Sequence, residues 1–294
     1  MAAHRYRASY NGISFNQHLD DSGIVDSVPN LIQASIQSDY YLDSLDLTRV
    51  TVEDFREMRQ FLEGAEANDA IEGVLVATLR GQIIGTTPGD LEDRTWAMRS
   101  AFSPAAVRLA SLATTPKNVL PFDFKVDTAA TFSARRLYAR PAIGRPVVVG
   151  RVREGLARRY MCQLISFDPR IVSQTLTQTT IVGATVCNNT GNAYTWPTIY
   201  VTFSGAGNAA LTFTHAATGQ VFVVNATTAL NGEVWVIDTY AGTIVRQSDG
   251  ANRYSQRVSG YISAMFLLAG NNTVTPTNTG GTSAIRYDYR SAWA

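Results

Sequence analysis

From Ile171 to Ala294 the chain carries only four acidic and five basic residues, and its apolar residues fall at every second position in one short run after another. That period matches the pleat of a strand, where successive side chains point to opposite faces, and so it demands a half-buried β-sheet. Candidate strands are Thr179–Val186, Thr198–Phe203, Ala210–Thr214, Gln220–Val224, Glu233–Asp238, Thr243–Arg246, Tyr261–Leu267 and Ser283–Tyr289. Asn189-Thr190-Gly191, Thr218-Gly219, Asn231-Gly232 and Gly270-Asn271 supply turns. Short strands at this spacing predict a β-sandwich.

The chain before this stretch is of another character. Residues 1–100 hold 16 acids and 8 bases, and residues 101–170 reverse the balance to 4 acids and 12 bases. At the change stands Phe167-Asp168-Pro169-Arg170-Ile171-Val172-Ser173. Pro169 has no N–H for a ladder and biases Asp168 towards an extended backbone, so it closes the strand Tyr160–Phe167. With 294 residues available, the expectation is two domains, 1–170 and 171–294, with Asp168, Pro169 and Arg170 as the joint.

In the first half, Asn11-Gly12 signals a hairpin within Tyr6–Phe15, and Leu31–Gln37 and Leu45–Val50 alternate as strands do. Thr51-Val52-Glu53-Asp54 opens a helix to about Gly64, with Val52, Phe55, Met58 and Leu62 on one face. Ile71–Leu79 is β-rich, and Arg80-Gly81 reads as a turn into Gln82–Gly85. A second helix starts at Thr87-Pro88-Gly89-Asp90, where Thr87 caps and Pro88 takes the first helical position. Ser103-Pro104 begins a third, shorter helix, and Val119–Val126 and Arg135–Ala139 return to strand.

Between Arg135 and Arg159 lie eight arginines (Arg135, Arg136, Arg140, Arg145, Arg151, Arg153, Arg158 and Arg159) against the single acid Glu154. A nucleic-acid site would want such a patch, but no helix, zinc or aromatic platform accompanies it. An acidic first third beside a basic middle points instead to contact between copies of the chain, with these arginines as the candidate subunit interface.

No enzymatic chemistry stands out. Cys162 and Cys187 have no metal or redox spacing and read as small buried residues, and His4, His18 and His215 form no ligand pattern. Gly205-Ala206-Gly207-Asn208-Ala209-Ala210 superficially fits a dinucleotide fingerprint, but a strand follows it where a helix is needed. Glu233, Asp238, Asp249 and Asp288 are the only acids of the second half, and turn positions explain Asp238 and Asp249. Tyr194, Trp196, Trp235 and Tyr240 alternate with Val and Ile, which favours core packing over stacking on sugars. No apolar run reaches the ~20 residues of a membrane span. The start of the sequence lacks the apolar core of a signal peptide, so cytosolic synthesis is expected.

Short motifs along most of the chain resemble the distal tail proteins (tail-tip adaptors) of long non-contractile-tailed bacteriophages. Ile83–Glu92 followed by Arg99-Ser100-Ala101-Phe102 is similar to that family's strand, capped helix and exit, and Asp168-Pro169-Arg170 to its interdomain link. Trp196–Val201, Trp235–Thr239, Gly270–Val274 and the closing Tyr287–Trp293 resemble its sandwich strands and terminus. The resemblance implies a mainly β protein, with an N-terminal β-barrel-like, ring-forming domain carrying one to three helices and a peripheral galectin-like β-sandwich. It further implies a structural virion protein of the tail tip, without enzymatic activity or cofactor. Such a protein forms a ring, as a rule a hexamer, that joins the tail tube to the tip hub and receptor-binding proteins. DNA passes transiently through its lumen, and no membrane is a partner. The alternative is a carbohydrate-binding module for host-surface glycans.

Overall fold

Alternation and turn chemistry are realised as twenty strands and two α-helices in a computed structural model that describes residues 6–16, 40–50, 73–113, 118–126, 134–142, 148–151, 156–168, 170–204, 209–280 and 282–294. The strand expected at 31–37, the helix at 51–63, His4, His18, Arg145, Arg153, Pro169 and the loop 205–208 lie outside the described residues. The chain forms two compact units, Met1–Ile171 and Val172–Ala294.

The strands of the first unit are β1 (Tyr6–Tyr10), β2 (Ile13–Phe15), β3 (Tyr40–Val50), β4 (Val74–Ile84), β5 (Leu120–Val126), β6 (Arg135–Pro141), β7 (Val148–Arg151) and β8 (Ala157–Ser166). They pair antiparallel in the order β2-β1-β5-β6-β8-β4-β3, with β7 beside β8. The Asn11-Gly12 turn forms the β1–β2 hairpin, with Tyr10 opposite Ile13. The expected turn at Arg80-Gly81 is a correction: β4 runs unbroken through it, paired on both sides by β3 and β8. Gly81 is there for close approach, because a Cβ would meet the Tyr41 carbonyl at 1.8 Å and the Tyr160 hydroxyl at 2.7 Å. Opposite it, β3 bulges between Leu42 and Ser44.

The barrel-like expectation needs a related correction. Among the described residues the ladder does not close, and a side chain links its two ends. Asn16, at φ 52° and fully buried, donates its backbone N–H to Tyr40 O at 3.1 Å. Its side chain donates to Leu42 O at 2.9 Å and accepts from Leu42 N at 3.1 Å, copying the bonds a neighbouring strand would make.

Helix α1 (Pro88–Ala101) begins as its sequence dictates. Thr87 Oγ1 accepts from the Asp90 N–H, and the Asp90 carboxylate accepts from the Thr86 N–H and hydroxyl. Leu91, Thr95, Met98 and Ala101 form its buried face, and Asn11 Nδ2 donates to the Ala101 carbonyl at 2.7 Å, satisfying one terminal acceptor. Helix α2 (Pro104–Ala110) adds Val107 to the same core. There Tyr10 and Phe102 rings lie 5.0 Å apart, and Phe15 packs on Tyr40, Phe102 and Tyr160.

The second unit holds β9 (Ile171–Ser173, whose first residue belongs to the first unit), β10 (Thr177–Ile181), β11 (Thr185–Asn189), β12 (Thr198–Ser204), β13 (Ala210–His215), β14 (Gln220–Asn225), β15 (Val234–Asp238), β16 (Thr243–Arg246), β17 (Arg257–Ser259), β18 (Gly270–Thr279), β19 (Thr282–Tyr289) and β20 (Ala292–Trp293). Two five-stranded antiparallel sheets, β10-β19-β12-β15-β16 and β11-β18-β13-β14-β17, enclose a core of Phe203, Phe213, Phe222, Trp235, Ile237, Ile285 and Tyr287. This is the expected sandwich class. Two element assignments differ. Thr179–Val186 is two strands rather than one, because Gly183 turns the chain at φ 60°. Tyr261–Leu267 is not a strand: Ile262–Ala264 form a 3₁₀ turn, which buries Ile262 and Met265 three positions apart.

Candidate assembly interface

The eight arginines of the basic segment take different positions. Arg136 forms a two-pronged pair with Asp123 on the adjacent strand β5, Nε to Oδ1 at 2.6 Å and Nη2 to Oδ2 at 2.8 Å. That carboxylate holds the guanidinium charged, its pKa pushed above its ordinary value against the opposing effect of burial. Arg158 reaches helix α1, meeting the Glu92 carboxylate at 2.5 Å and the Thr95 hydroxyl at 3.2 Å. The Arg140 guanidinium stacks over the Phe167 ring, 4.7 Å from its centre. Arg135 sits half-buried on β6, where desolvation lowers its pKa, while Arg159 on β8 is exposed. Arg151 ends β7. Arg136 and Arg158 therefore serve the first unit itself, and Arg159 faces solvent.

At the joint, Arg170 is nearly buried and turns back on Asp168. Its Nε donates to Oδ1 at 2.8 Å, its Nη2 to Oδ2 at 2.5 Å, and its backbone N–H to Oδ1 at 3.1 Å. Ser166 Oγ donates to Asp168 O at 2.6 Å and Tyr138 O at 2.8 Å, tying the turn to β6. The entry to the second unit uses a residue the sequence reading missed. Arg290 Nη1 donates to the carbonyls of Ser173 and Gln174, and the Ser173 N–H donates to Ser291 O at 2.8 Å.

Besides the three-residue β2 at one end of the ladder, two strand edges of the first unit lack a ladder partner among the described residues. One is β3 beyond Leu42, with Asp43, Asp46, Leu47, Thr48 and Arg49 exposed. The other is β7, which pairs only with β8 and stands in sequence between Arg145 and Arg153. An unpaired row of N–H and C=O groups is a template for another strand.

The acids of the second unit all hold structure. Glu233 accepts from Trp235 Nε1 at 2.7 Å, from Leu230 N at 3.1 Å and from Arg253 at 3.1 Å. Burial raises its pKa, but these donors outweigh burial, and the net shift is downward. Asp238 caps the Tyr240 and Ala241 N–H groups, Asp249 pairs with Arg246, and Asp288 pairs with Arg286 and accepts from Gln178. Both nitrogens of the buried His215 are engaged, by Thr218 and Asn272. Cys162 and Cys187 are free and buried, each in one core. Among the described residues no three metal-type side chains gather, and no helix is long and apolar enough to cross a membrane. Of the four aromatics read as core, Trp235 alone is buried; Trp196 is half-buried, and Tyr194 and Tyr240 are exposed.

Residues 190–293 match the family model described as "Siphovirus-type tail component, C-terminal domain". Most of the second unit is thus similar to the C-terminal domain of siphovirus-type tail components. The particular resemblance to distal tail proteins is supported by this match and by the fold. The crystal structure of the SPP1 Dit (gp 19.1) protein, described as a paradigm of the hub adsorption apparatus in phages infecting Gram-positive bacteria, superposes with a TM-score of 0.56 at 16% identity, over 96% of this chain and 98% of that one. Baseplate structures of phage p2 in the activated conformation, with Sr and with Ca, align at 8% identity over 97% of both chains, with TM-scores of 0.44 and 0.43. No curated protein matches the chain.

Proposed function

We propose that the protein is a structural, non-enzymatic virion component of a phage tail tip. Its first unit assembles head to tail into a closed ring, hexameric in the resembled family. The ring joins tail tube to tip hub and leaves a lumen for DNA. The observation that carries this reading is the pair of open strand edges in one unit. β3, which exposes Asp43 and Asp46 beside Arg49, and the arginine-flanked β7 are different surfaces, so a contact between them is heterologous and repeats until it closes. Opposite charge favours that register over β3 meeting β3. The tail-component match of the second unit supports a virion setting for this reading.

Electron microscopy of the purified protein or of tail particles tests it: a closed ring with residues 135–159 at the seam is expected. With Leu47→Cys and Gly150→Cys introduced together, oxidation should link copies into a ladder of oligomers that stops at the ring order. Monomeric chains with a free 135–159 segment inside an intact tail would overturn the seam.

A further inference from the structure

The second unit carries a surface aromatic cluster that neither its core nor the ring reading uses. Trp196 stands between Tyr194, ring centres 4.9 Å apart at 88°, and Tyr240, 5.1 Å apart at 63°. Phe266 continues the row, 5.6 Å from Tyr194. The rings are held in place: Trp196 Nε1 donates to Ser263 O at 3.0 Å, and Thr195 and Leu267 exchange backbone hydrogen bonds beneath them. Yet Tyr194 is 38% and Tyr240 61% exposed, an unusual amount for rings already packed together.

We infer that this cluster is a binding platform for a neutral saccharide. The segments that carry the rings, 192–197, 238–241 and 261–268, contain no Lys, Arg or His, so nothing there selects a phosphate or a carboxylate. Asp238, their only charge, is occupied by the Tyr240 and Ala241 N–H groups. What remains is a rigid, uncharged aromatic surface edged with tyrosine hydroxyls and backbone polar groups. That chemistry fits a ring with an apolar C–H face and a rim of hydroxyls. Fixed rings also lose little rotamer freedom on binding.

Titration of the full chain with galactose, glucose, N-acetylglucosamine and their short oligomers, read by tryptophan emission, tests the site. Saturable binding in the millimolar range or tighter is expected for at least one. Tyr240→Ala should weaken it about tenfold or more, while Tyr240→Phe, which keeps the ring, should stay within about twofold. Absence of saturation with every sugar overturns the inference, as does unchanged binding in Tyr240→Ala. If Tyr240→Ala instead abolishes capture of a purified tail component while no sugar binds, the cluster is a protein-docking surface and the inference also falls. Ring formation, followed by microscopy in the same samples, should be unaffected by either variant, so failure of the platform and failure of the tail-tip reading are separable.

Discussion

In the second unit the strands that end the two sheets, β10, β11, β16 and β17, are five, five, four and three residues long. The first unit's ladder ends on the three-residue β2 at one side and, at the other, on β3, which runs for eleven residues. Both units are antiparallel and both bury an aromatic core, so the difference lies in how each treats its edges. Short edge strands discourage pairing with another chain, and since β7 has only four residues, length singles out β3 alone while β7 is marked by its flanking arginines. A long edge with exposed carboxylates, next to a unit that carries an arginine-flanked edge of its own, invites it. The charges divide the same way. In the first unit Arg159 and Asp43 face outward and Asp46 meets Arg80 only at the surface, at 3.7 Å, whereas in the second Glu233, Asp238, Asp249 and Asp288 each hold a local turn or pair.

One buried free cysteine in each unit allows the comparison to be tested unit by unit. Burial pushes both thiols upward, Cys187 to about 11 and Cys162 further, so neither should react while its core stays closed. The largest effect is expected from Gly81→Val. Its Cβ would strike the Tyr41 carbonyl, and neither β3 nor β8 can shift without losing its ladder. A cost of ~3 kcal/mol or more is expected. Cys162 should label rapidly and Cys187 should stay protected; equal exposure of both thiols would mean the units do not open independently.

Asn16→Ala comes next. It leaves the Leu42 N–H and C=O without their side-chain partners at the place where the ladder fails to close, a loss of about 2–4 kcal/mol for two buried groups. Amide exchange at Leu42 should accelerate far more than exchange in β13 or β18. Unchanged exchange would show that Asn16 does not hold the sheet ends together.

Asn16 also marks where sequence reading stops. Period-two strands and the Thr87-Pro88 cap were legible because their causes are local: which face is buried, and which side chain meets the first free N–H groups. Gly81 was misread because Arg-Gly usually marks a turn, and only strands on both sides reveal it as a close-approach position. Alternation missed the strand β18, because Gly270-Asn271 at its start reads as a turn and Pro276 lies within it, and only the family resemblance marked Gly270–Val274 as strand. Pro276 is tolerated because β11 pairs only as far as Val274, leaving β13 as the sole neighbour there. Tyr194, Trp196 and Tyr240 alternate like core residues yet lie outside the core, because alternation assigns a face and does not say whether that face is covered. The basic segment was legible as a charge excess, but the partners of Arg136 and Arg158 come from β5 and α1, which spacing alone does not bring together.

The smallest effect separates the units by pH. Trp235 Nε1, the Leu230 N–H and Arg253 hold the Glu233 pKa below its ordinary 4.5 despite the opposing effect of burial. A carboxyl depressed in the folded state adds stability above its unfolded value and loses it as pH falls through the folded one. The second unit should therefore lose stability as the medium is acidified below about pH 4.5, with the emission of Trp235 reporting the change because it donates directly to this carboxylate. Glu233→Gln keeps an acceptor for Trp235 but removes the charge. It should cost about 1–2 kcal/mol at neutral pH and flatten the acid dependence of the second unit. The first unit, whose pairs do not involve this carboxyl, should keep its own acid profile. An acid slope of the second unit that survives Glu233→Gln unchanged would place the linkage elsewhere in the sandwich, with Asp249, whose pKa is also lowered by its pairing with Arg246, as the next carboxylate to replace.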